Sequence, residues 1–452
     1  SKILLLKKRP AYKLVFFLLT IKQLHSNIAQ TNKRGLKLNI LVLGSGAREH
    51  SFVHALAKSP TVHKIFACPG NVGMSDTTIC KRIPARSNSE LVSYCKDKID
   101  LAVVGSSKFV EEGTVDALVL AGIPVIGPAE DAGRIETSKA FASRFMARHN
   151  IPSPATSIIV NLFEAEQALF KNPDLRVVKC DGFSRGSGVS VCSSLEETQS
   201  EIKKILEEHG APVILQEKLE GIECSYTLLT DGHQWISFSS CRDYKRILEN
   251  DQGATTGGMG AVSPSPDLTP ELEKQIIDTI VQPVVDGMKE DNLLYKGFLS
   301  IQLMLTKDGP KVLEFNARLG DPETQSILTR FRGDLAGILK DCAMGCLTNV
   351  GSEVAFGKHS SVSVVIAREN YPEDESTEPV VAGTENVQDS VIFYSSCRKA
   401  ENRDGYYFKS GRLISVTAVA ETLEEARKLC YDDINRLELK GVRYRKDIGL
   451  KK

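Results

Sequence analysis

Short apolar runs that end in glycine recur in the part of the chain that follows position 37. The runs that read as strands are residues 38–43, 101–104 and 123–126. The first run leads through Gly44 into a helix-like stretch at 49–57. Strands that alternate with helices indicate a parallel α/β sheet, whose ligands bind at the carboxyl ends of the strands. We therefore predict an N-terminal α/β domain over residues 39–136.

The pattern changes after residue 137. The predicted elements are a helix at 139–149, strands at 176–180 and 189–192, a helix at 195–209 and a strand at 213–217. The first two strands flank a glycine-rich loop at 181–188. Strand, glycine loop and strand is the order of a hairpin, not the strand-to-helix order of a P-loop. This stretch therefore predicts a small α+β lobe.

Further strands and two helices make up the rest of the chain. The predicted elements are strands at 226–229 and 235–239, a long glycine-rich loop to residue 266, a helix at 270–290, strands at 298–305 and 311–315, and, after residue 360, strands with one charged helix at 423–437. We find no internal repeat. The pattern thus predicts a second, larger part of the molecule that is rich in strands.

Length and charge limit the classes of protein that fit this pattern. A chain of 452 residues is too long for one ordinary core and predicts about two to four domains. The net charge is zero, which favours neither nucleic acid nor a membrane surface as a partner. The eleven cysteines include no CxxC pair, so we expect reduced thiols in a reducing compartment.

The first 38 residues form a basic extension. Positions 1–39 hold nine Lys and Arg, and no Asp or Glu precedes Glu49. The apolar stretch at 14–21 is too short to span a bilayer. Such a leader is either an organellar import sequence or an unprocessed tail. We therefore expect a cytoplasmic protein without a transmembrane segment, or one imported into an organelle through this extension.

The segment KVLEFNARLGDPETQ at 311–325 carries the first candidate site. A strand places Glu314 and Asn316 on one face, because side chains alternate along a strand. A carboxylate and an amide oxygen are suitable ligands for Mg²⁺, which keeps water and phosphate oxygens as its other ligands. Arg318 and Asp321 follow in the adjoining loop. The alternative is a capped strand end with a surface salt bridge.

A second candidate site lies at residues 241–261. Asp243, Lys245 and Arg246 precede a loop that contains Gly257 and Gly258. Glycines let the backbone approach a ligand closely and present N–H groups to anions. Two cations at the entrance of the loop can hold a phosphate or a carboxylate. The alternative is a mobile surface loop.

Together, the two segments resemble the phosphoribosylamine–glycine ligase family (glycinamide ribonucleotide synthetases) of the ATP-grasp superfamily. The motifs that carry the resemblance are Asp243-x-Lys245-Arg246, Thr256-Gly257-Gly258-Met259-Gly260-Ala261 and Glu314-Phe315-Asn316-x-Arg318-x-Gly320-Asp321-Pro322-Glu323. Other stretches similar to the family are Gly44-Ser45-Gly46-Ala47-Arg48-Glu49-His50, Pro69-Gly70-Asn71, Ser138-Lys139, Lys179 and residues 441–449. The similarity runs in order from residue 39 to residue 450.

The resemblance implies an α/β and α+β multidomain fold. Its parts are a pre-ATP-grasp parallel α/β domain at 39–136, a two-lobed ATP-grasp at 137–350 with a small lobe at about 157–227, and a C-terminal β-rich domain at 351–452 that closes the site. The implied reaction is ATP-dependent ligation of glycine to 5-phosphoribosylamine through a glycyl phosphate, in de novo purine biosynthesis. The implied assembly is a monomer or a small homo-oligomer, with other purine-pathway enzymes as partners.

The resemblance also assigns roles to single residues. The metal ligands, for Mg²⁺ with Mn²⁺ as the alternative, are Glu314 and Asn316. The catalytic residues are Lys245, Arg318 and Asp321. The ATP-binding residues are Lys139, Lys179, Gly186, Ser187, Gly188, Gln216, Glu217, Leu219 and Glu223. The residues for glycine and 5-phosphoribosylamine are Gly44, Ser45, Gly46, Arg48, Glu49, His50, Asn71, Asp243, Gly257, Gly258, Met259, Gly260, Gly320 and Pro322.

The chain departs from the family pattern in its phosphate and substrate loops. Ser187 stands where the family's Gly-Lys-Gly loop has lysine, and Ser106 and Ser107 replace the last two residues of Gly-Pro-Glu. A cation and a carboxylate are thereby lost, and neutral contacts are weaker than charge-assisted ones. Three interpretations remain: an active glycine ligase, an ATP-grasp ligase for another amino acid and amine, or an inactive nucleotide-binding member. The intact metal ligands favour an active enzyme.

Overall fold

The computed structural model describes residues 37–182, 188–347, 356–373, 379–399 and 406–450. Nearly all of the basic extension, and Gly186 and Ser187 of the phosphate loop, lie outside the described residues. All eleven cysteines lie within them as free thiols, and nine are buried. No helix in these ranges combines the length and the apolar character needed to cross a bilayer.

The N-terminal part forms a parallel sheet with the strand order β3-β2-β1-β4-β5. Its strands are β1 (Leu38–Gly44), β2 (Val62–Pro69), β3 (Cys80–Arg82), β4 (Leu101–Val104) and β5 (Val125–Ile126). Its helices are α1 (Ala47–Leu56), α2 (Asn88–Cys95), α3 (Lys108–Glu111), α4 (Thr114–Leu120) and α5 (Glu130–Thr137). β1 and β4 are buried almost throughout, as expected for parallel strands covered on both faces. The strand order reverses between them, so their carboxyl ends frame a crevice.

A small antiparallel sheet follows, with the order β6-β9-β7-β8. Its strands are β6 (Thr156–Ile159), β7 (Leu175–Cys180), β8 (Val189–Val191) and β9 (Val213–Glu217). Helix α6 (Lys139–Arg148) precedes it, and α7 (Leu162–Lys171) and α8 (Leu195–Glu208) pack on it. The side chain of Ser194 caps α8 by accepting the N–H of Glu197, which fixes where that helix begins. This sheet and its two helices are the small lobe.

Within the described residues, the third and largest sheet has nine strands. Along its main path the order is β16-β15-β10-β11-β14-β17-β22-β19, and β24 pairs with β17. These strands are β10 (Ile222–Thr230), β11 (Trp235–Asp243), β14 (Gly260–Ser263), β15 (Gly297–Thr306), β16 (Gly309–Asn316), β17 (Ser360–Arg368), β19 (Ser390–Tyr394), β22 (Arg412–Ala420) and β24 (Val442–Arg443).

Short two-stranded pairs and helices border this large sheet. The two-stranded pairs are β12 (Arg246–Leu248) with β13 (Gln252–Thr255), β18 (Val380–Ala382) with β23 (Glu438–Lys440), and β20 (Cys397–Lys399) with β21 (Tyr406–Phe408). The helices are α9 (Pro270–Ile276), α10 (Gln282–Glu290), α11 (Glu323–Arg330), α12 (Leu335–Met344) and α13 (Leu423–Ile434). A π-helical turn, Ile277–Val281, joins α9 to α10 just before Pro283, which has no N–H to donate.

The glycine-rich stretch at 241–266 differs from its prediction as a long loop. It contains the β12–β13 hairpin and then β14, which pairs with β11 on one side and with β17 on the other. Gly260 lies opposite Val364 in this ladder, so the strands β10, β11 and β14 to β16 and the C-terminal strands form one continuous sheet. The C-terminal strands are therefore joined to the rest of the large sheet by strand pairing.

Candidate functional site

Glu49 fills the crevice at the carboxyl ends of β1 and β4. Its carboxylate accepts the N–H of Gly46 at 2.6 Å and the Nε–H of Arg48 at 2.7 Å. A Cβ atom added to Gly44 or Gly105 would lie 2.4 Å or 2.3 Å from Glu49 Cγ. Glycine therefore stands at the end of β1 and directly after β4 because the Glu49 side chain occupies the space beside them.

His50, Asn71 and Ser45 join the N-terminal loops to the C-terminal strands. His50 Nδ1 accepts the N–H of Tyr394 at 3.0 Å. Asn71 Nδ2 donates to the carbonyl oxygens of Ser45 and Tyr394, both at 2.8 Å. The Ser45 hydroxyl lies 2.8 Å from that of Ser396. Burial lowers the pKa of His50 to about 3, so this ring is neutral. These predicted substrate residues thus hold two domains together.

Three lysines, Lys139, Lys179 and Lys245, form what we call the lysine cluster. Lys139 Nζ donates to the carbonyl of Gly182 at 2.8 Å. Lys179 Nζ reaches from β7 to the carbonyl of Leu313 on β16 at 3.1 Å, so it connects the small lobe to the large sheet. Burial lowers the pKa of Lys179 to about 8, which leaves the amine mostly protonated at pH 7.

Carboxylates surround this cluster. Lys245 Nζ lies 3.3 Å from Glu223 Oε2 and 3.7 Å from Asp243 Oδ2. Burial opposes a charged Lys245, but the neighbouring carboxylates, Glu223 first, raise its pKa. Burial also opposes a charged Glu314, yet Lys245 and Lys179 lower its pKa. Burial and the charge of a neighbouring glutamate raise the pKa of Asp243 well above its usual range. The lysine cluster thus keeps Glu314 ionised, whereas burial and the charge of Glu323 favour the protonated form of Asp243 against the effect of Lys245.

Glu314 and Asn316 share one face of β16. In the ladder they lie opposite Gln302 and Ser300 of β15. In the described ranges, His, Cys, Asp and Glu side chains form no group of three that could hold a metal ion. One ionised carboxylate and one amide fit Mg²⁺, which is held by few protein ligands when phosphates supply the rest.

Arg48, Arg318 and Arg412 form a second group, the arginine cluster, around Asp321. Arg412 Nη2 lies 3.1 Å from Asp321 Oδ2, and Gln325 Nε2 donates to Asp321 Oδ1 at 2.8 Å. Burial opposes a charged Asp321, but Arg412 and then Arg48 lower its pKa. Guanidinium groups at a cleft are suited to carboxylate and phosphate groups of a ligand.

Glu136 and Ser107 hold Arg318. Arg318 Nε donates to Ser107 Oγ at 3.2 Å, and its Nη2 lies 3.0 Å from Glu136 Oε1. Ser107 Oγ in turn donates to Glu136 Oε1 at 2.6 Å, and Glu136 Oε2 accepts the N–H of Ala317. A carboxylate is thus present beside Ser107 in space, although position 107 has lost one. Glu136 was not predicted from the sequence, although it directly precedes Thr137-Ser138-Lys139.

The loop at Gly257 and Gly258 contacts residues of the C-terminal strands. Gly257 N–H donates to Tyr371 Oη at 3.0 Å. Arg412 Nη1 donates to the carbonyl oxygens of Gly257 at 2.8 Å and of Asp321 at 2.7 Å. Tyr371 and Arg412 were not predicted from the sequence, because they lie outside the motifs that resemble the family.

Met259 and Gly260, which were predicted as substrate residues, lie in the sheet next to the Gly257–Gly258 loop. The Met259 side chain is fully buried in a small apolar cluster. Its N–H donates to the carbonyl of Tyr244, and its own carbonyl accepts the N–H of Val365. Gly260 is a ladder residue of β14, and a Cβ there would lie 2.8 Å from the carbonyl oxygen of Ser363. Both residues therefore build the sheet behind the site.

The residues predicted to bind nucleotide lie along the boundary of the small lobe. Gln216 Nε2 donates to Thr156 Oγ1 at 3.0 Å, and Glu217 Oε1 lies 2.9 Å from Lys311 Nζ. Leu219 is half-buried in the connection between β9 and β10. Glu223 lies instead beside the lysine cluster. The carbonyl of Gly188 accepts the N–H of Cys180, next to the part of the phosphate loop outside the described residues.

Gly320 and Pro322 complete the loop around Asp321. A Cβ on Gly320 would lie 2.2 Å from Glu323 Oε1. Glu323 Oε1 also accepts a hydrogen bond from Gln302 Nε2 at 3.3 Å. Gln302 Oε1 in turn accepts a hydrogen bond from Lys245 Nζ at 3.4 Å, so Gln302 connects the loop that carries Asp321 to the lysine cluster. The two clusters therefore form one continuous polar site.

Three family models match consecutive parts of this chain. The ATP-grasp domain of phosphoribosylglycinamide synthetase matches residues 137–324. The N domain and the C domain of the same synthetase match residues 38–136 and 361–451. The matched ranges together cover most of the chain.

Curated relatives that match nearly the whole chain are enzymes of the same kind. The phosphoribosylamine–glycine ligase of Ralstonia nicotianae is 35 % identical over 421 residues, which cover 91 % of this chain and 99 % of the relative. The phosphoribosylamine–glycine ligase of Pasteurella multocida is 36 % identical over 427 residues, which cover 91 % of this chain and 97 % of the relative.

Solved structures are similar over the same length. The crystal structure of Thermotoga maritima phosphoribosylamine–glycine ligase superposes with a TM-score of 0.78 at 28 % identity, covering 91 % of this chain and 100 % of that chain. The biotin carboxylase domain of Hydrogenobacter thermophilus 2-oxoglutarate carboxylase, solved with MgADP, has a TM-score of 0.67 at 16 % identity. It covers 90 % of this chain and 92 % of its own, and at this identity it shows the fold alone.

Proposed function

Because the chain belongs to the phosphoribosylglycinamide synthetase family, we propose that its lysine cluster binds the phosphates of ATP and that Arg48, Arg318 and Asp321 bind the two smaller substrates. The chain is an ATP-dependent ligase of purine biosynthesis, which joins glycine to 5-phosphoribosylamine. The observation that carries the residue roles is Glu314, a half-buried carboxylate on β16 that Lys245, Lys179 and Lys139 hold ionised.

Glu314 and Asn316 are the residues that would hold Mg²⁺, with Mn²⁺ as the alternative. When bound there, the ion would neutralise charge on the ATP phosphates. Lys139 and Lys179 add two further positive charges from the small-lobe side of the site. This arrangement supports phosphoryl transfer, whose catalysis rests mainly on positioning and charge neutralisation.

The proposed reaction has two steps. A carboxylate oxygen of glycine attacks the γ-phosphorus of ATP, the bond from that phosphorus to the bridging oxygen breaks, and glycyl phosphate and ADP form. The amine nitrogen of 5-phosphoribosylamine then attacks the acyl carbon, the bond to the phosphate oxygen breaks, and the nitrogen loses a proton. The products are glycinamide ribonucleotide, ADP and phosphate.

Arg318 and Asp321 have complementary roles in this proposal. The Arg318 guanidinium is suited to the carboxylate of glycine or a phosphate group, and the ionised Asp321 is suited to an ammonium group. Arg48, beside the crevice of the N-terminal sheet, supplies a further cation. The predicted substrate residues His50 and Asn71 support this part of the site through the domain contacts described above.

The assignment of Glu314 is tested by Glu314→Ala. We expect ADP release to fall below detection while the thermal unfolding transition stays close to that of the wild type, because the removed carboxylate binds the metal and does not build a core. Asp308→Ala, an exposed change on the same β15–β16 hairpin, is the matched control and should release ADP normally. ADP release by Glu314→Ala near the wild-type rate would refute the metal assignment.

The choice of substrates is tested by omitting each one. ADP release is measured with glycine and with 5-phosphoribosylamine generated in the assay, and then without either. We expect the rate to depend on both. Dependence on a different amino acid would show a ligase of another specificity, and ATP binding without turnover would show an inactive member of the family.

A further inference from the structure

The loop at Gly257 and Gly258 is enclosed by protein on two sides. A Cβ on Gly257 would lie 3.3 Å from both Arg412 Cζ and Tyr371 Oη. A Cβ on Gly258 would lie 2.5 Å from Pro322 Cδ, and Gly258 has a φ of +114°, which favours glycine. The two glycines therefore allow the C-terminal strands and the Asp321-Pro322 segment to close on the loop from opposite sides.

Neighbouring residues hold the Tyr371 side chain in this contact. Its hydroxyl accepts the Gly257 N–H, and its ring packs against a buried cluster that contains Met259. A Cβ on Gly411 would lie 2.3 Å from Tyr371 Cδ2, so glycine at that position makes room for the ring. The tyrosine thus reaches the loop from a fixed position.

Arg412 connects the loop to Asp321. Its Nη1 donates to the carbonyls of Gly257 and Asp321, and its Nη2 contacts the Asp321 carboxylate. Only 22 % of the Arg412 side chain is exposed. One guanidinium therefore fixes both backbone segments and the carboxylate between them.

The loop is also connected to the lysine cluster. Gly258 N–H donates to Thr256 Oγ1 at 3.1 Å, and Thr256 Oγ1 and N–H both donate to the carbonyl of Lys245 at 2.8 Å. A shift of the loop would therefore move Lys245 as well as Asp321.

We propose that Tyr371 and Arg412 are positioning residues of the ligation reaction, which hold the Gly257–Gly258 loop and Asp321 in the reactive arrangement. This inference rests on the proposed function. Freed of these contacts, a loop with two adjacent glycines would sample many conformations. Small displacements of positioning groups lower reaction rates strongly, because reacting atoms must approach within a narrow range.

The test compares Tyr371→Phe with Tyr431→Phe. Tyr431 is a matched control, because its hydroxyl also bonds backbone, the carbonyl of Arg445 and the N–H of Ile448, but lies away from the loop. We expect Tyr371→Phe to lower kcat/KM for glycine about fivefold, the worth of one hydrogen bond, with the KM for ATP unchanged within about twofold. Tyr431→Phe should lower neither quantity. Equal kcat/KM values for the two variants would overturn the role of Tyr371.

Arg412 is tested by substitution and chemical rescue. Arg412→Ala should lower kcat/KM for glycine at least about a hundredfold, because several charge-assisted bonds are lost. Guanidinium ion at concentrations well below those that unfold the protein should restore part of the rate, whereas the same concentration of sodium ion should not. Full activity of Arg412→Ala would refute the proposal for this residue.

Amide hydrogen exchange separates this inference from the proposed function. The Gly257 amide should exchange faster in Tyr371→Phe than in the wild type and in Tyr431→Phe, whether or not the assay contains the correct substrates. A wild-type protein that releases no ADP would refute the proposed function alone. Unchanged exchange at Gly257 in Tyr371→Phe would refute the positioning role.

Discussion

Asp321 lies between guanidinium groups that come from opposite ends of the chain. Arg48 follows the first strand of the N-terminal sheet, and Arg412 begins β22 near the C terminus. Both lower the pKa of the Asp321 carboxyl, although its burial acts in the other direction. The ionised state of this one side chain therefore depends on all three parts of the molecule being assembled.

His50 makes the stability of the domain contact sensitive to acid. Its pKa is about 3 in the folded protein and about 6.5 in an unfolded chain, so below pH 6.5 the unfolded chain binds a proton that the folded one does not. The stabilising contribution is complete above that pH and falls as the pH drops toward 3. Between pH 7.5 and 5.5 we expect a loss of about 1.4 kcal/mol from this residue.

The variant His50→Asn should have a flatter pH dependence, since asparagine keeps an acceptor for the Tyr394 N–H but does not titrate. The measurement is the urea midpoint of unfolding at both pH values. Exposed His63, changed to Asn, serves as the control and should leave the wild-type slope. A midpoint that falls as steeply in His50→Asn as in the wild type would contradict the role of His50.

Glu136 provides a second prediction for a single residue, because its carboxylate is the partner of Arg318. Glu136→Gln keeps the shape of the side chain but leaves Arg318 without its carboxylate partner. We expect kcat/KM for glycine or 5-phosphoribosylamine to fall about tenfold, the worth of a charge-assisted bond, while the KM for ATP stays within about twofold. Steady-state kinetics check this. Exposed Glu112→Gln is the control, and equal kinetics for both variants would contradict the assignment.

Among the helices and strands, those with a clear local sequence pattern were predicted, and those that depend on distant partners were not. β9 was predicted with its observed bounds because three apolar residues, Val213, Ile214 and Leu215, follow Pro212 directly. β14 was missed because it has only four residues and begins with Gly260, which sheet propensities disfavour. It forms because strands on both sides supply hydrogen-bond partners, and those partners lie far away in sequence.

The difference between local and distant contacts also explains which neighbours in the candidate site could be predicted from the sequence. Glu314 and Asn316 are two positions apart on one strand, so their shared face follows from the sequence alone. Arg412 lies 91 residues from Asp321 in the chain. Its contact depends on the packing of β22 and the loop before α11, which no local pattern encodes. The motif residues were therefore predictable, and the residues that hold them in place were not.

The loop at Gly258 provides a prediction at this scale. Gly258→Ala should lower the ligation rate about a hundredfold or more, because its Cβ would overlap Pro322 and displace the segment that carries Asp321. Gly113→Ala is the matched control: Gly113 also has a positive φ, +67°, but no atom lies within 4 Å of an added Cβ. Gly113→Ala should destabilise the protein by about 1 kcal/mol and Gly258→Ala by more, because of its overlap with Pro322, and only Gly258→Ala should lower the rate.

In the whole molecule, the continuous sheet limits which domains are expected to move relative to one another. In the described residues, the small lobe has a sheet of its own, whereas β17 pairs directly with β14. Contacts such as Lys179 to Leu313 and Lys311 to Glu217 connect the lobe to the large sheet. Opening and closing around ATP is therefore expected to involve the small lobe and not the C-terminal strands.

Amide hydrogen exchange with and without a non-hydrolysable ATP analogue tests this expectation. We expect β17 and β15 to be similarly protected in both states, since they belong to the same continuous sheet, and protection to change mainly in β6 to β9. Rapid exchange in β17, or a change there larger than in the small lobe, would show that the C-terminal strands open as a separate unit.

The pairing of β14 with β17 also has a consequence for truncated forms of the chain. A polypeptide that ended after α12 would leave β14 with a row of unsatisfied N–H and C=O groups along its outer side. Such an open edge can template the addition of a strand from another molecule and so begin aggregation. The C-terminal strands therefore also keep the ATP-grasp sheet from self-association.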